Sequence, residues 1–271
     1  MKIAVIIPAA GMSTRFNGSG QDADLLGMGR SKLDEDLGGK TVLQRTIELF
    51  HTHEHVCQVI VAGPHDPEVM SSFKLHHADR INLLGAELVA GGKDHRWQSV
   101  QAAIGAVSDD ATHIAIHDAA RPATPPELVD RIFDAAARFD AVIPVVPVSD
   151  TLKRVSSDPI DDKSDSDPLA AILGAGDAIP MHEVVGGIDR QDAVQVQTPQ
   201  VFAKDLIERA YQQDDLSSTD DAGLIERLGE RVVTVAGDER NMKLTRSGDL
   251  PVLRAIMNVH GNKQRASHKR F

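Results

Sequence analysis

Four stretches of this chain set small residues beside a fixed charge, a combination suited to handling phosphate. Pro8-Ala9-Ala10-Gly11-Met12-Ser13-Thr14-Arg15 follows directly on the apolar run Ile3–Ile7. Backbone N–H groups approach phosphate oxygens closely only where side chains are small, and a helix opening at the end of such a loop adds a favourable dipole. Arg15 contributes a fork of donors that can follow negative charge as it develops on a transferring phosphoryl group, so the loop suits a nucleotide triphosphate. Ala-Ala-Gly after a strand is equally an ordinary tight connection, and the stretches downstream have to decide. Ile116-His117-Asp118-Ala119-Ala120-Arg121-Pro122 ends an apolar run with a carboxylate able to hold Mg2+ against phosphates. Arg121 offers a second anion contact there, and the two alanines leave room for a ligand. The alternative is an Asp that caps the next helix and pairs with Arg121.

Gly91-Gly92-Lys93-Asp94-His95-Arg96-Trp97-Gln98-Ser99 repeats the pattern of a Gly-rich turn opening a helix and could approach a base or ribose. Gly237-Asp238-Glu239-Arg240-Asn241-Met242-Lys243-Leu244-Thr245 brings Lys243 in just after a strand, facing either ligand or solvent. Lys32 precedes Leu33 and the turn Leu37-Gly38-Gly39-Lys40, and gains a role only if the intervening loop folds it back beside Arg15. Thr151, in Val148–Arg154, has a hydroxyl to offer a phosphate, although threonine also suits a strand.

Groups so far apart in the chain need a scaffold that gathers them. Apolar β-rich runs at Ile3–Ile7, Val56–Ala62, Glu87–Val89, His113–His117, Ala141–Val146 and Val232–Val235 predict strands. Helical spacing predicts helices over Val42–Phe50, Trp97–Val107, Pro125–Arg138, Lys204–Gln213 and Thr219–Leu228. Alternation of the two implies βαβ units and a doubly wound, mostly parallel sheet, in which ligands sit outside the carboxyl ends of the strands. The loop at Pro8–Arg15 and the segment at His117–Arg121 both fall on that edge. Phe16–Ser31 and Ser156–Gly187, rich in Gly and Asp, read as surface loops or insertions, and the basic stretch from Asn258 to Phe271 as a frayed tail.

Composition narrows the partners. A net charge of −11 opposes non-specific attraction to polyanions, and 3% aromatic residues leave few platforms on which bases could stack, so no nucleic-acid partner is expected. An anionic ligand must therefore be met by local basic groups. Cys57 is the single cysteine of the sequence, which excludes an intrachain disulfide and fits a reducing compartment. With no apolar run long enough to span a bilayer and no signal-peptide pattern, a cytoplasmic protein without a membrane partner is expected. His51, His53 and His55 lack the spacing and carboxylate of a zinc site and read as surface histidines; His76-His77 reads as loop polarity.

Taken in order, Pro8-Ala-Ala-Gly with Arg15, Lys32, Gly91-Gly92 with Arg96 and Ser99, His117-Asp-Ala-Ala-Arg-Pro122, Asp150-Thr-Leu-Lys153, Asp189-Arg190, Gln197-Thr-Pro-Gln200, Thr219-Asp220 and Asn241-Met-Lys243-Leu-Thr245 resemble the 2-C-methyl-D-erythritol 4-phosphate cytidylyltransferases. The resemblance implies an α/β, Rossmann-like domain over residues 1–257, with a β-arm at about 148–200 that interlocks with a second copy in a homodimer. It implies transfer of CMP from CTP to 2-C-methyl-D-erythritol 4-phosphate, giving 4-diphosphocytidyl-2-C-methyl-D-erythritol and pyrophosphate. Ala9, Ala10, Gly11, Gly92 and Ser99 would hold CTP, and Asp118 would bind Mg2+ or another divalent cation. Arg15 and Lys32 would stabilise charge at the α-phosphorus. Arg121, Thr151, Thr219 and Lys243 would bind the acceptor, and Arg190 would reach the acceptor of the other subunit. Two competing readings stay open from sequence: the same chemistry on ribitol 5-phosphate, and a non-catalytic CTP-binding regulatory protein.

Overall fold

Ile3–Pro8 (β1) is the centre from which the sheet grows. Ile3 through Ile7 are all buried, so this strand must be covered on both faces, the condition for an interior strand of a parallel sheet. The computed structural model describes residues 1–11, 16, 31–160 and 181–260. β1 pairs in parallel with Val56–Gly63 (β2) on one side and His113–Ile116 (β4) on the other, and β2 pairs in parallel with Glu87–Ala90 (β3). Ala141–Pro147 (β5) and Val233–Ala236 (β10) form a further parallel pair. Two shorter strands, Leu152–Val155 (β6) and Val184–Ile188 (β7), pair with each other, and Val194–Val196 (β8) follows. Gln200–Ala203 (β9) then enters antiparallel to both β4 and β5, so that seven strands lie in the order β10-β5-β9-β4-β1-β2-β3.

The alternation of side chains along β1 divides the core in two. Ile3, Val5 and Ile7 face a layer built by Val42–Glu48 (α1), Pro126–Ala136 (α4) and Asp249–Ile256 (α7), with Ile81 of Pro67–Leu83 (α2) in the same cluster. Ile6 faces the opposite layer, made by Arg96–Ile104 (α3), Lys204–Ala210 (α5) and Ala222–Arg227 (α6). Helices on both faces of a mostly parallel sheet are the doubly wound arrangement predicted from sequence, and each strand and helix predicted there is present with its ends moved by up to three residues.

Several elements depart from the sequence reading. The helix α2 runs through His76-His77, which the sequence assigned to a loop. Its start carries a clear signal, Asp66 accepting from the N–H groups of Glu68 and Val69 with Pro67 at the first turn. Its apolar residues form no stripe: Val69, Leu75 and Leu83 face solvent, and His77 and Ile81 are its buried residues. β7 begins inside the stretch read as a loop insertion and ends one residue beyond it, and its residues are mostly exposed, which removes the alternation that marks a half-buried strand. Val259, assigned to the frayed tail, donates its N–H to Arg254 O and packs against the core. Residues 261–271, most of the first insertion and Arg15 lie outside the described residues.

By contact the chain forms two units, Met1–Val146 with Val196–Phe271, and Pro147–Gln195. The second is built on the antiparallel β6–β7 pair, registered Leu152 opposite Ile188 and Lys153 opposite Gly187. Among the described residues no helix is long and apolar enough to cross a membrane.

Candidate functional site

The carboxyl ends of β1, β3, β4 and β10 and the start of antiparallel β9 open on one edge of the sheet, and the polar residues of the first unit collect there. Asp118 stands two residues beyond β4, Arg96 begins α3 after β3, Thr198 precedes β9, and Lys243 follows β10. Together with Arg121, Thr219 and Asp220 they line a cleft of about 450 Å3.

Asp118 is the hub. Lys243 Nζ lies 2.8 Å from its Oδ2, Arg121 Nε 3.5 Å from the same oxygen, and Arg96 Nε 3.4 Å from Oδ1. Burial pushes the Asp118 carboxyl up, but the charges of Arg96, Lys243 and Arg121 outweigh it and hold the group well below the usual carboxylate range. Arg121 is pulled the other way, its burial lowering the guanidinium's pKa against the opposing effect of Asp118. Its Nη1 donates to Asn241 O at 2.5 Å, while its Nε is buried and makes no hydrogen bond. Of the three cations around Asp118, Arg96 is also paired with Asp221, while Arg121 and Lys243 share the Asp118 carboxylate, an arrangement that suits an incoming anion.

A buried relay fixes the backbone that carries Asp118. The Asp118 N–H donates to Thr198 Oγ1 (3.0 Å), and the same hydroxyl lies 3.2 Å from His117 Nδ1. His117 Nε2 lies 3.2 Å from Arg121 O, which can only accept, so Nε2 carries the ring proton and Nδ1 accepts from Thr198. His117 is fully buried against the edge of Phe50, and burial pulls its pKa down to about 4. A histidine neutral in the fold but protonated when unfolded makes the unfolded chain bind the extra proton between those two pKa values. Stability is therefore complete above the unfolded pKa and falls as pH drops from about 6.5 towards 4, by roughly 3 kcal/mol in total. Urea titrations between pH 7.5 and 4.5 should show this loss, and His117→Gln, which cannot titrate, should remove that part of the slope; an unchanged slope would refute the assignment.

Sequence reasoning missed the supports behind this cluster. Arg96 Nη1 donates to Asp221 Oδ2 (2.7 Å), and Asp221 Oδ1 accepts from the Tyr211 hydroxyl (2.6 Å) in a nearly water-free position. Burial and the Asp221 charge push the Tyr211 phenol up, so it stays a donor. Asn241 is fully buried, its amide donating to Thr198 O (2.9 Å) and accepting from Thr124 Oγ1 (2.8 Å). The same residue thus ties the loop before β9 to Arg121 and, two residues on, to Lys243. Tyr211 and Asp221 sit in plain helical and acidic sequence, and nothing in their spacing marked them as partners.

The small-residue loops form a separate part of the same edge. Ala9 N–H bonds to Ala62 O, Gly91 N–H to Gly63 O, and Gly92 N–H to the Ser99 hydroxyl, each at 2.8–2.9 Å. A Cβ on Gly91 would stand 2.5 Å from Gly63 O and 3.2 Å from the Ala10 methyl, so close approach requires glycine there. Ser99 is 2% exposed and shapes this turn, while Gly11 is exposed, with none of the described residues within 4 Å of where a Cβ would stand. Lys32 opens a single 3-10 turn, Lys32–Asp34, whose Leu33 is buried in the cluster that also holds Ala9, Ala119 and Ala120. Thr219 is exposed at the cleft. Thr151 and Arg190 belong to the second unit, are exposed, and lie outside the cleft lining; Arg190 Nη1 donates to Ser149 O. His53, read as a surface residue, instead packs on Phe133 and lies 3.1 Å from Asp130 Oδ1.

Among the described residues no three His, Cys, Asp or Glu side chains form a group able to hold a metal ion. Mg2+ is commonly held by one or two carboxylates plus the phosphates of a substrate, and Asp118 is the carboxylate at this cleft that would hold one.

A profile described as 2-C-methyl-D-erythritol 4-phosphate cytidylyltransferase (IspD) matches residues 3–173 and 162–259. The protein of that name from Frankia casuarinae is 38% identical over 261 residues, covering 94% of this chain and 81% of the relative. The one from Rhodococcus jostii is 36% identical over 256 residues, covering 94% and 95%. Among solved structures, 2-C-methyl-D-erythritol 4-phosphate cytidylyltransferase from Thermus thermophilus superposes with a TM-score of 0.67 at 28% identity, covering 96% of this chain and all of that one.

Proposed function

The chain belongs to the 2-C-methyl-D-erythritol 4-phosphate cytidylyltransferase family, a family of nucleotidyltransferases, and from that premise we propose that it transfers CMP from CTP to 2-C-methyl-D-erythritol 4-phosphate. An oxygen of the acceptor phosphate attacks the α-phosphorus of CTP in line, a new P–O bond forms, and the bond to the β-phosphate breaks to release pyrophosphate. Both reacting groups are phosphates, so catalysis consists of positioning them and compensating their charge. The observation that carries this reading is the cluster of Arg96, Arg121 and Lys243 around the Asp118 carboxylate at the cleft.

In this reading Ala9, Ala10, Gly11, Gly92 and Ser99 form the bed for CTP, small residues that let it approach closely, with the N–H groups of Ala9 and Gly92 engaged within the fold and shaping that bed. Arg15 and Lys32 follow the charge that grows on the α-phosphate and the departing pyrophosphate. Arg121, Thr219 and Lys243 bind the acceptor phosphate, and Asp118 anchors a divalent cation. Such a cation would offset the negative charge of the phosphates. The family resemblance assigns Thr151 to the acceptor, and Arg190 to the acceptor of another copy.

A homodimer is part of the same proposal. Val184 and Val185 of β7 are 58% and 56% exposed, and Val155, Ile160, Met181 and Ile188 in the same unit are also uncovered. A two-stranded sheet with an apolar surface is marginal in water alone, and a second copy of this unit would cover it. A cytoplasmic location agrees with the lone, unpaired Cys57.

The test is pyrophosphate release from CTP and Mg2+ with methylerythritol phosphate, with ribitol 5-phosphate and without acceptor. Release is expected with the first alone and should stop when the cation is chelated. Faster release with ribitol 5-phosphate, or CTP binding with no release at all, would overturn the proposal.

A further inference from the structure

We propose that His77, on α2, is a positioning residue for Lys32. The inference rests on the reading of Lys32 as a group that meets the α-phosphate, and adds to it the means by which that lysine is held.

Lys32 begins a 3-10 turn of three residues, too short to hold its own orientation by backbone bonds. Local capping supplies the first constraint: the Ser31 hydroxyl accepts from the Leu33 N–H and the Ser31 carbonyl from the Asp34 N–H. Leu33, 3% exposed, anchors the turn in the core. Beside this anchor and the Val42 N–H bond to Glu35 O (3.1 Å), the turn has room for a directional side-chain tie. Asp34 supplies it, its Oδ1 lying 2.7 Å from His77 Nε2. His77 is itself immobilised, 3% exposed, with the Phe73 ring 4.7 Å away on the same 17-residue helix. Farther along, Arg254 of α7 and Arg45 of α1 donate to the carbonyls of Asp36 and Leu37. The segment that carries Lys32 is thus clamped by three helices, and the clamp two residues from the lysine is the His77–Asp34 pair.

Besides its packing on Phe73, His77 makes this one ion-pair contact among the described residues, and the cost of losing it should appear at the reacting phosphate. Displacement of a catalytic group by about 1 Å can cost up to about a hundredfold in rate.

The experiment compares His77→Leu, His77→Gln, Lys32→Ala and the double variant His77→Leu/Lys32→Ala in full-length protein. It records kcat and KM for CTP, with the thermal midpoint as a check on folding. His77→Leu should lower kcat about tenfold or more and leave KM for CTP within about twofold. His77→Gln, whose Nε2 can occupy the place of the ring nitrogen, should recover most of the loss. In the Lys32→Ala background His77→Leu should add nothing. Full turnover by His77→Leu, failure of glutamine to rescue, or an undiminished loss in the Lys32→Ala background would each overturn the proposal. Normal turnover by Lys32→Ala alone would instead remove the underlying reading of Lys32, and that single variant tells the two failures apart.

Discussion

Asp118→Asn should lose at least about a hundredfold in turnover, because even the outer-shell partners of metal ligands cost 10–100-fold when removed. The same substitution should weaken the fold. The side chain keeps its shape, but Arg96, Arg121 and Lys243 lose the carboxylate they share. Removing one partner of a buried ion pair costs about 3–5 kcal/mol, since the remaining charge stays out of water uncompensated. Arg96 keeps Asp221, but Arg121 and Lys243 have no second carboxylate within ion-pair distance among the described residues. Pyrophosphate offers a replacement counter-charge, so it should raise the thermal midpoint of Asp118→Asn more than that of the unaltered protein. Calorimetry with and without pyrophosphate checks the stability claim, and pyrophosphate release checks the catalytic one. Unchanged turnover would show that the hub of the cluster plays no part in the chemistry, and equal stabilisation of both proteins would show that the cations are not starved of an anion.

Lys32→Ala should produce a different signature. A cation that meets charge growing in the transition state contributes little to ground-state binding, so kcat should fall by about a thousandfold, comparable to the loss of a catalytic arginine in other phosphoryl transfers. KM for CTP should move by less than about fivefold. Single-turnover kinetics together with direct titration of CTP separate the two quantities. Equal losses in affinity and in rate would place Lys32 in nucleotide binding rather than in stabilisation of the reacting phosphate.

The parallel sheet was readable because its interior strands are unbroken apolar runs: Ile3–Ile7 and Ala141–Val146 have no competing helical pattern. The helix α4 was equally plain, with Leu128, Val129, Ile132 and Phe133 on one buried face. By contrast α2 buries a histidine and points Leu75 and Leu83 at water, and periodicity cannot detect a helix whose apolar residues sit on the wrong face. β9 is four residues long, and its antiparallel insertion between β4 and β5 depends on partners distant in sequence. At the site, Asp118, Arg121 and Lys243 were legible because each charge follows a strand end. The buried ties of His117, Thr198, Asn241, Asp221 and Tyr211 were not, because residues of these types occur in every protein and acquire meaning here through contacts across the fold.

The position of β9 has a consequence for how this architecture can vary. Gln197 donates its N–H to Pro144 O at 2.8 Å, so the first unit closes on itself at the point where residues 147–195 leave and return. That excursion is an insertion with adjoining ends, and doubling the length of such a loop costs only about 0.6 kcal/mol in closure entropy. It can therefore be lengthened or shortened between its two ends at little entropic cost.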